Sequence, residues 1–140
     1  MPELQPPPSR ARGRLPDGTS YAVYGQGTPV VFIHGVGMQQ DIWVPQILGF
    51  ARDHTVITFD MLGHGHSPLP PASPSLSDYA DQVTRLLDQL GLARAHIVGH
   101  SMGALVALPF MVVHQVTVGM PRGAYAWALV SGCVHLPYTW

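Results

Sequence analysis

From Met102 to Trp140 the sequence has no aspartate and no glutamate, and nowhere in its 140 residues does it have a lysine. All seven strong bases are arginines, and three of them, Arg10, Arg12 and Arg14, sit close together near the N-terminus. A basic binding patch normally carries more charge than this, so the trio reads as a solvated leader. Only 11% of residues are charged and the formal net charge is −1. That leaves no electrostatic reason to expect nucleic acid or an anionic membrane as partner, and a small polar or neutral molecule is the partner class that remains. Cys133 is the only cysteine, so no intrachain disulfide and no thiolate metal cluster can form, and a reducing compartment fits. Long apolar runs are also missing. The longest, Ala104 to Val113, is about half of a bilayer span and contains Pro109. Pro6, Pro7 and Pro8 would interrupt a signal sequence. The expectation is a soluble, cytoplasmic protein without metal or cofactor; oligomeric state is not legible.

What is present is a sizeable apolar fraction, 46%, enough for one domain with a real core. Residues 1–9 are proline-rich and are read as a disordered or polyproline-like leader. Residues 10–140 are read as a single, incomplete domain. Leu15-Pro16-Asp17-Gly18 is a turn signature with extended segments expected on either side. Thr19 to Tyr24 alternates loosely, as a strand does. Pro29 to Ile33 is a continuous apolar run of the kind that strands of parallel sheets show when both faces are covered, and the same logic reads Thr55 to Phe59 and Ala95 to Val98 as buried strands. Leu76, Tyr79, Val83, Leu86, Leu87 and Leu90 recur at helical spacing, with Ser75 and Asp78 placed as a capping-box variant and Gly91 as a stop. A shorter helix is expected over Trp43 to Phe50, weakened by Pro45. Tyr125 to Ser131 resembles a further strand. Strands alternating with helices give an α/β class with a mostly parallel sheet and flanking helices.

In open α/β sheets, ligands lie beyond the carboxyl ends of the strands. Three segments fall there: His34-Gly35-Val36-Gly37, then Asp60 with Gly63-His64-Gly65 and Ser67, then Gly99-His100-Ser101-Met102-Gly103. In the last of these, glycines at both ends let the backbone fold sharply and leave Ser101 exposed at the head of a helix. The Met102 N–H is the natural first donor to an oxyanion, and the glycine-flanked Val36 is suited to supply the second.

Together these motifs resemble the α/β-hydrolase family, above all its esterase, enol-lactonase and carbon–carbon hydrolase branch, over about Leu15 to Leu108. The resemblance implies the N-terminal part of an α/β-hydrolase fold, with Ser101 as nucleophile and Val36 and Met102 as the oxyanion hole. It also implies that His34 and His64 brace loops and that Asp60 anchors the tight glycine loop. A serine at the elbow disfavours the epoxide hydrolase and haloalkane dehalogenase members, which use aspartate. His66 reads as an exposed loop residue and Cys133 as a small buried one. His100, adjoining Ser101 at a sharp turn, points away from it. Trp43 could line a substrate pocket, with core packing as the simpler alternative.

The family sets its acid and histidine after the nucleophile, in the order Ser, Asp or Glu, His. Only His114 and His135 follow Ser101 here. On an unbroken helix His114 would lie about 20 Å away. His135 follows the Tyr125 segment and so could emerge at the active edge, but no carboxylate after Ser101 would orient it. Loss of a triad acid lowers turnover about 10⁴-fold in a serine protease, so the short chain is expected to be nearly inactive. The break with the family is read to begin at Pro109. The tail is then either a truncated or frameshifted end of a longer hydrolase or a genuine short variant. The functional expectation is a serine hydrolase acting on an ester, lactone or activated ketone through an acyl-enzyme. A non-catalytic relic or small-molecule binding module, and a cofactor-free perhydrolase, are the alternatives.

Overall fold

The computed structural model describes residues 3–108 and 126–129. Pro109, His114, Cys133 and His135, and the expectations attached to them, lie outside the described residues. The strands are β1 (Ala11–Arg14), β2 (Ser20–Tyr24), β3 (Thr28–Ile33), β4 (His54–Phe59), β5 (His96–His100) and β6 (Ala126–Leu129). They form one sheet in the order β1-β2-β4-β3-β5-β6. The four strands β4, β3, β5 and β6 run parallel, while β1 and β2 add an antiparallel margin beside β4. The α/β class and the mostly parallel sheet are therefore as the sequence implies.

The apolar runs become the central strands because both faces of each are covered. In β3, Val31 and Ile33 point to one face and Val30 and Phe32 to the other, following the two-residue period of a strand. The first face is covered by α2 (Leu76–Gln89) and by a helix, α3, whose described part is residues 102–108. Tyr79, Val83, Leu86, Leu87, Val106 and Ala107 join Val31, Ile57, Phe59 and Ile97 in that core. On the second face, Trp43 and Ile47 cover Val30, Phe32 and Val56. Trp43 is packed against Phe32 with ring centroids 4.8 Å apart, so it is a core residue.

Local chemistry sets the helix limits. The Ser75 hydroxyl accepts from the Asp78 N–H at 3.2 Å and the Asp78 carboxylate accepts from the Ser75 N–H at 2.7 Å, the reciprocal bond pair of a capping box. Gly91, at φ 65°, turns the chain away at the other end. Leu76 departs from the expected apolar stripe. It opens the first turn, ahead of the stretch that lies on the sheet, and is 41% exposed. The shorter helix, α1 (Val44–Phe50), is preceded by a 3₁₀ turn over Gln40–Trp43. Pro45 stands in its first turn, where the absent N–H has no intrahelical partner to lose, so it starts the helix instead of weakening it.

The arginine trio is not simply a solvated leader. Arg12 and Arg14 belong to β1. Arg12 donates to the Tyr24 hydroxyl at 2.9 Å, and Arg14 donates to the carbonyls of Gly18 and His66 at 2.9 and 2.7 Å. All three arginines are exposed, as expected of solvated side chains; what charge counting misses is that two of them belong to a strand.

One polar side chain crosses the core. Gln82 of α2 is fully buried, accepts from the Leu62 N–H at 3.1 Å, and donates to the Thr19 hydroxyl at 2.9 Å and the Asp60 carbonyl at 3.1 Å. Gln82→Leu keeps the volume, orphans the Leu62 N–H and takes a donor from Thr19 and Asp60, so it should lower the unfolding free energy by about 2–3 kcal/mol. Urea unfolding at unchanged m-value reads this directly, and a change below about 0.5 kcal/mol would show that the network is not needed.

Candidate active site

The register of the sheet brings the three glycine-bearing loops to one edge. Ile33 of β3 pairs with Gly99 of β5, and Phe32 pairs with Thr58 of β4, so the chain leaves all three strands at nearly the same level. Ser101 lies between the last residue of β5 and the first residue of α3. It is the only non-glycine residue with positive φ, 55°, among the described residues. Holding a serine in this region costs about 1–2 kcal/mol, and the surroundings allow no relaxation. A Cβ on Gly99 would fall on the backbone of Gly103, and one on Gly103 would fall on the Ile33 carbonyl. The strand, the turn and α3 are thus in contact backbone to backbone, which only glycine at both positions permits.

Gly35 completes the arrangement on the β3 side. A Cβ built there would stand 3.1 Å from the Ser101 Cβ and 3.3 Å from the His100 carbonyl. The loop after β3 is therefore against the serine. Val36, the next residue, is exposed and forms a turn with Gly37, at φ 72°. Met102 opens α3, so its N–H has no partner within the helix. Among the described residues no hydrogen bond engages the N–H of Val36.

Asp60 and His34 fix the loops from below. The Asp60 carboxylate is fully buried and accepts the Gln40 N–H at 2.8 Å, the Gln40 side-chain amide at 3.1 Å and the His66 N–H at 3.0 Å. Its carbonyl accepts the Ser67 hydroxyl at 2.6 Å. A Cβ on Gly65 would overlap the carboxyl carbon, so the glycine loop wraps tightly around the acid. Asp60 is thus occupied as an anchor. His34 is also fully buried: Nε2 accepts the Met61 N–H at 3.0 Å and Nδ1 meets the Gly35 carbonyl at 2.8 Å. With Nε2 accepting, the proton must be on Nδ1. Burial pushes the His34 pKa below its ordinary value; the Gly35 bond opposes this, the neighbouring His64 adds to it and Asp60 opposes it. His34 is a neutral, fully engaged side chain with no nitrogen left for Ser101. His64 lies beside it with its ring tilted by 60°, ring centroids 5.2 Å apart, and donates from Nδ1 to the Leu62 carbonyl at 3.0 Å.

Other histidines are placed less centrally. His66 is exposed, its Nδ1 3.7 Å from Asp60. His100 is the half-buried last residue of β5. The close pair of His54 and Asp53, 2.7 Å apart, lies at the amino end of β4, the opposite edge of the sheet. Among the described residues no group of three His, Cys, Asp or Glu side chains could hold a metal ion. Two contributors escape the sequence reading. Gln82 interrupts the apolar stripe between Tyr79 and Leu86, a polar residue on a buried helix face, and that is a usable signal. Gln40, which also accepts the Thr58 hydroxyl at 2.9 Å, gives none.

A profile of the alpha/beta hydrolase fold matches residues 28–117, which include all three loops and run past Leu108. The chain belongs to the α/β-hydrolase family. It is 43% identical to the (E)-2-((N-methylformamido)methylene)succinate hydrolase of Acinetobacter baylyi over 86 residues, 61% of this chain and 33% of that protein. Est816, described as an N-acyl homoserine lactone degrading enzyme, superposes with a TM-score of 0.68 at 32% identity, covering 80% of this chain and 40% of its own. The enol-lactonase of Burkholderia xenovorans superposes with a TM-score of 0.66 at 26% identity, covering 70% and 40%. The chain thus spans a third of that relative's length and two fifths of either structure's.

The state of His34 has a measurable consequence for this α/β-hydrolase domain. Its folded pKa is depressed, as is that of His96 by burial and by His54. The unfolded chain therefore takes up protons first as pH falls. The stability these groups contribute is complete above about pH 6.5 and is lost as pH falls below it toward their folded values. The urea midpoint should decline between about pH 7 and 5.5, less steeply in His34→Gln than in the parent. Equal slopes would show that His34 is not buried neutral.

Proposed function

We propose that this domain carries the nucleophile and oxyanion hole of a serine hydrolase acting on an ester, a lactone or an activated ketone. The observation that carries the reading is Ser101 at positive φ between β5 and α3, with the Gly35 backbone against it. The Ser101 Oγ attacks the carbonyl carbon and its proton passes to a base. The carbonyl π bond breaks onto oxygen, and the N–H groups of Val36 and Met102 receive the negative charge. The oxyanion then re-forms the carbonyl as the C–O bond to the leaving alcohol breaks, or, for an activated ketone, the C–C bond to a stabilised carbanion; the leaving group takes the proton, and water releases the acyl group by the reverse sequence. The relatives support this class of chemistry: one is an enol-lactonase, one degrades N-acyl homoserine lactones and one is a hydrolase of a succinate derivative.

The base is the open position. His34 is engaged on both nitrogens, His114 and His135 lie outside the described residues, and no acid follows Ser101 in the sequence. That His34 has no nitrogen to spare for Ser101 favours a second reading, a relic or binding domain that keeps the elbow without the base. A fluorophosphonate probe separates the two. Labelling of the full chain that disappears in Ser101→Ala supports the enzyme; its absence from folded protein, with a small-molecule ligand still bound, supports the relic. Oxyanion donors alone leave about 10³ to 10⁴ over the uncatalysed rate, so labelling slow enough to need hours still counts for the enzyme.

A further inference from the structure

We propose that Met38 is a specificity-determining residue whose thioether forms an apolar wall beside Ser101 for the acyl part of the substrate. The wall selects an uncharged aliphatic acyl group over one that ends in a carboxylate. The inference rests on the role assigned above to Ser101 and names the substrate class of that site.

The Met38 N–H donates to the Gly35 carbonyl at 3.3 Å, and Gly37 has a positive φ of 72°. The loop after β3 is therefore closed into a tight turn with glycine at its third position, and such a turn brings its first and fourth residues within about 7 Å. The Met38 side chain returns to Gly35, which has no side chain to keep it off. A Cβ on Gly35 would stand 3.1 Å from the Ser101 Cβ and 3.5 Å from the Met38 sulfur. Thioether and serine thus flank a single point. The methionine is not spent on the core: it is 36% exposed and belongs to neither apolar cluster. Val36, on the same turn, is also exposed. Two apolar side chains therefore stand open to solvent on the loop that meets the nucleophile.

The acyl group is what stays on the Ser101 oxygen when the leaving group departs, so a side chain this close to the serine meets it. Methionine suits an aliphatic chain because it is unbranched and adapts its shape to what lies against it. A carboxylate in the same place would lose hydration against the apolar wall and would need a cation in return. No arginine among the described residues is placed to serve, and the sequence has no lysine. Arg12 and Arg14 lie on β1, with β2 and β4 between them and β3. Arg52 and Arg94 precede β4 and β5 and so lie toward the opposite edge of the sheet, and Arg85 of α2 pairs with Asp17 at 3.0 Å. His100 follows Val98 by two residues on β5, which puts its ring on the Trp43 side of the sheet.

The test uses the full chain and p-nitrophenyl esters, with acylation read as nitrophenolate release and as acyl mass on Ser101, each rate taken relative to hydrolysis in buffer. A methylene against one apolar wall is worth about two-fold, so the pentanoate should acylate the parent about 5- to 10-fold faster than the acetate. The glutarate monoester, with the carbon count of the pentanoate but a terminal carboxylate, should be no faster than the acetate. The pentanoate-to-acetate ratio should persist in Met38→Leu and fall to about 2 or below in Met38→Gln, which keeps the length and makes the end polar. An unchanged ratio in the glutamine variant, or a glutarate ester as fast as the pentanoate, would overturn the proposal. A second measurement needs no reaction. The Met38 methyl resonance, assigned by its loss in Met38→Leu, should move on titration with pentanamide and stay in place with glutaramate, in the parent and in Ser101→Ala alike. A methyl unmoved by pentanamide, or moved equally by both, overturns the proposal even where the glutamine variant fails to fold. Absence of acylation in the parent, with the methyl result as expected, defeats the hydrolase reading and leaves the apolar wall standing.

Discussion

A carboxylate sealed away from water determines how the site-bearing edge of this domain is put together. Burying the charge of Asp60 is costly unless every lone pair finds a donor, and the donors come from separate parts of the chain. Gln40 brings the end of the loop after β3, His66 brings the glycine loop after β4, and through the Asp60 carbonyl Ser67 and Gln82 add the same loop and α2. None of these segments can move without exposing or orphaning a polar group. The acid therefore acts on the site by fixing where the loops begin. A side chain committed to three N–H donors is a poor candidate for orienting a catalytic histidine, which agrees with the anchoring role.

Above this anchor, the geometry is built almost wholly from backbone. Ser101 occupies a conformation that serine avoids, and it stays there because β5 and α3 are each held independently. β5 is fixed by its pairing with β3, and α3 by Val106 and Ala107 in the core. Glycine at 99 and 103 lets these elements touch, and the contact leaves the intervening residue a single way to bridge them. Asp60, His34 and the glycines together hold the loops after β3, β4 and β5 close to one another around the serine.

Much of this was legible in the sequence because its causes are local. The strands β3, β4 and β5 follow from apolar runs, and α2 from its stripe and from the Ser75–Asp78 pair, whose partners are three residues apart. The elbow is legible because glycine, serine and glycine at fixed spacing have one common geometric use. The unread parts depend on partners brought close only by folding. Arg12 finds Tyr24 on a neighbouring strand and Arg14 finds the carbonyl of His66, 52 residues away, so counting charges near the N-terminus could not place them. Gln40 gives no sequence signal because its task, covering a carboxylate 20 residues later, leaves no periodicity. Leu76 has the right spacing for the buried face of α2 but stands in the first turn, where the helix has not yet reached the sheet. Periodicity reports direction around a helix axis and carries no information on where along the axis the partner begins.

The assignments also separate by how much of the fold each requires. The contacts around Ser101, Gly35, His34 and Asp60 fall largely between residues 19 and 107, with β6 pairing along β5 up to His100. They close on themselves: α2 reaches the Asp60 loop, that loop reaches His34 through Met61, His34 reaches Gly35, and Gly35 meets the serine. The geometry around Ser101 is therefore a property of these elements and not of whatever would supply a base. A base adds to such a site by accepting one proton. It need not reshape the turn, since the strain at Ser101 is already borne by β5 and α3. What must be rigid around Ser101 is thus held by backbone contacts of the described core, and a base would have only to arrive at a position already defined.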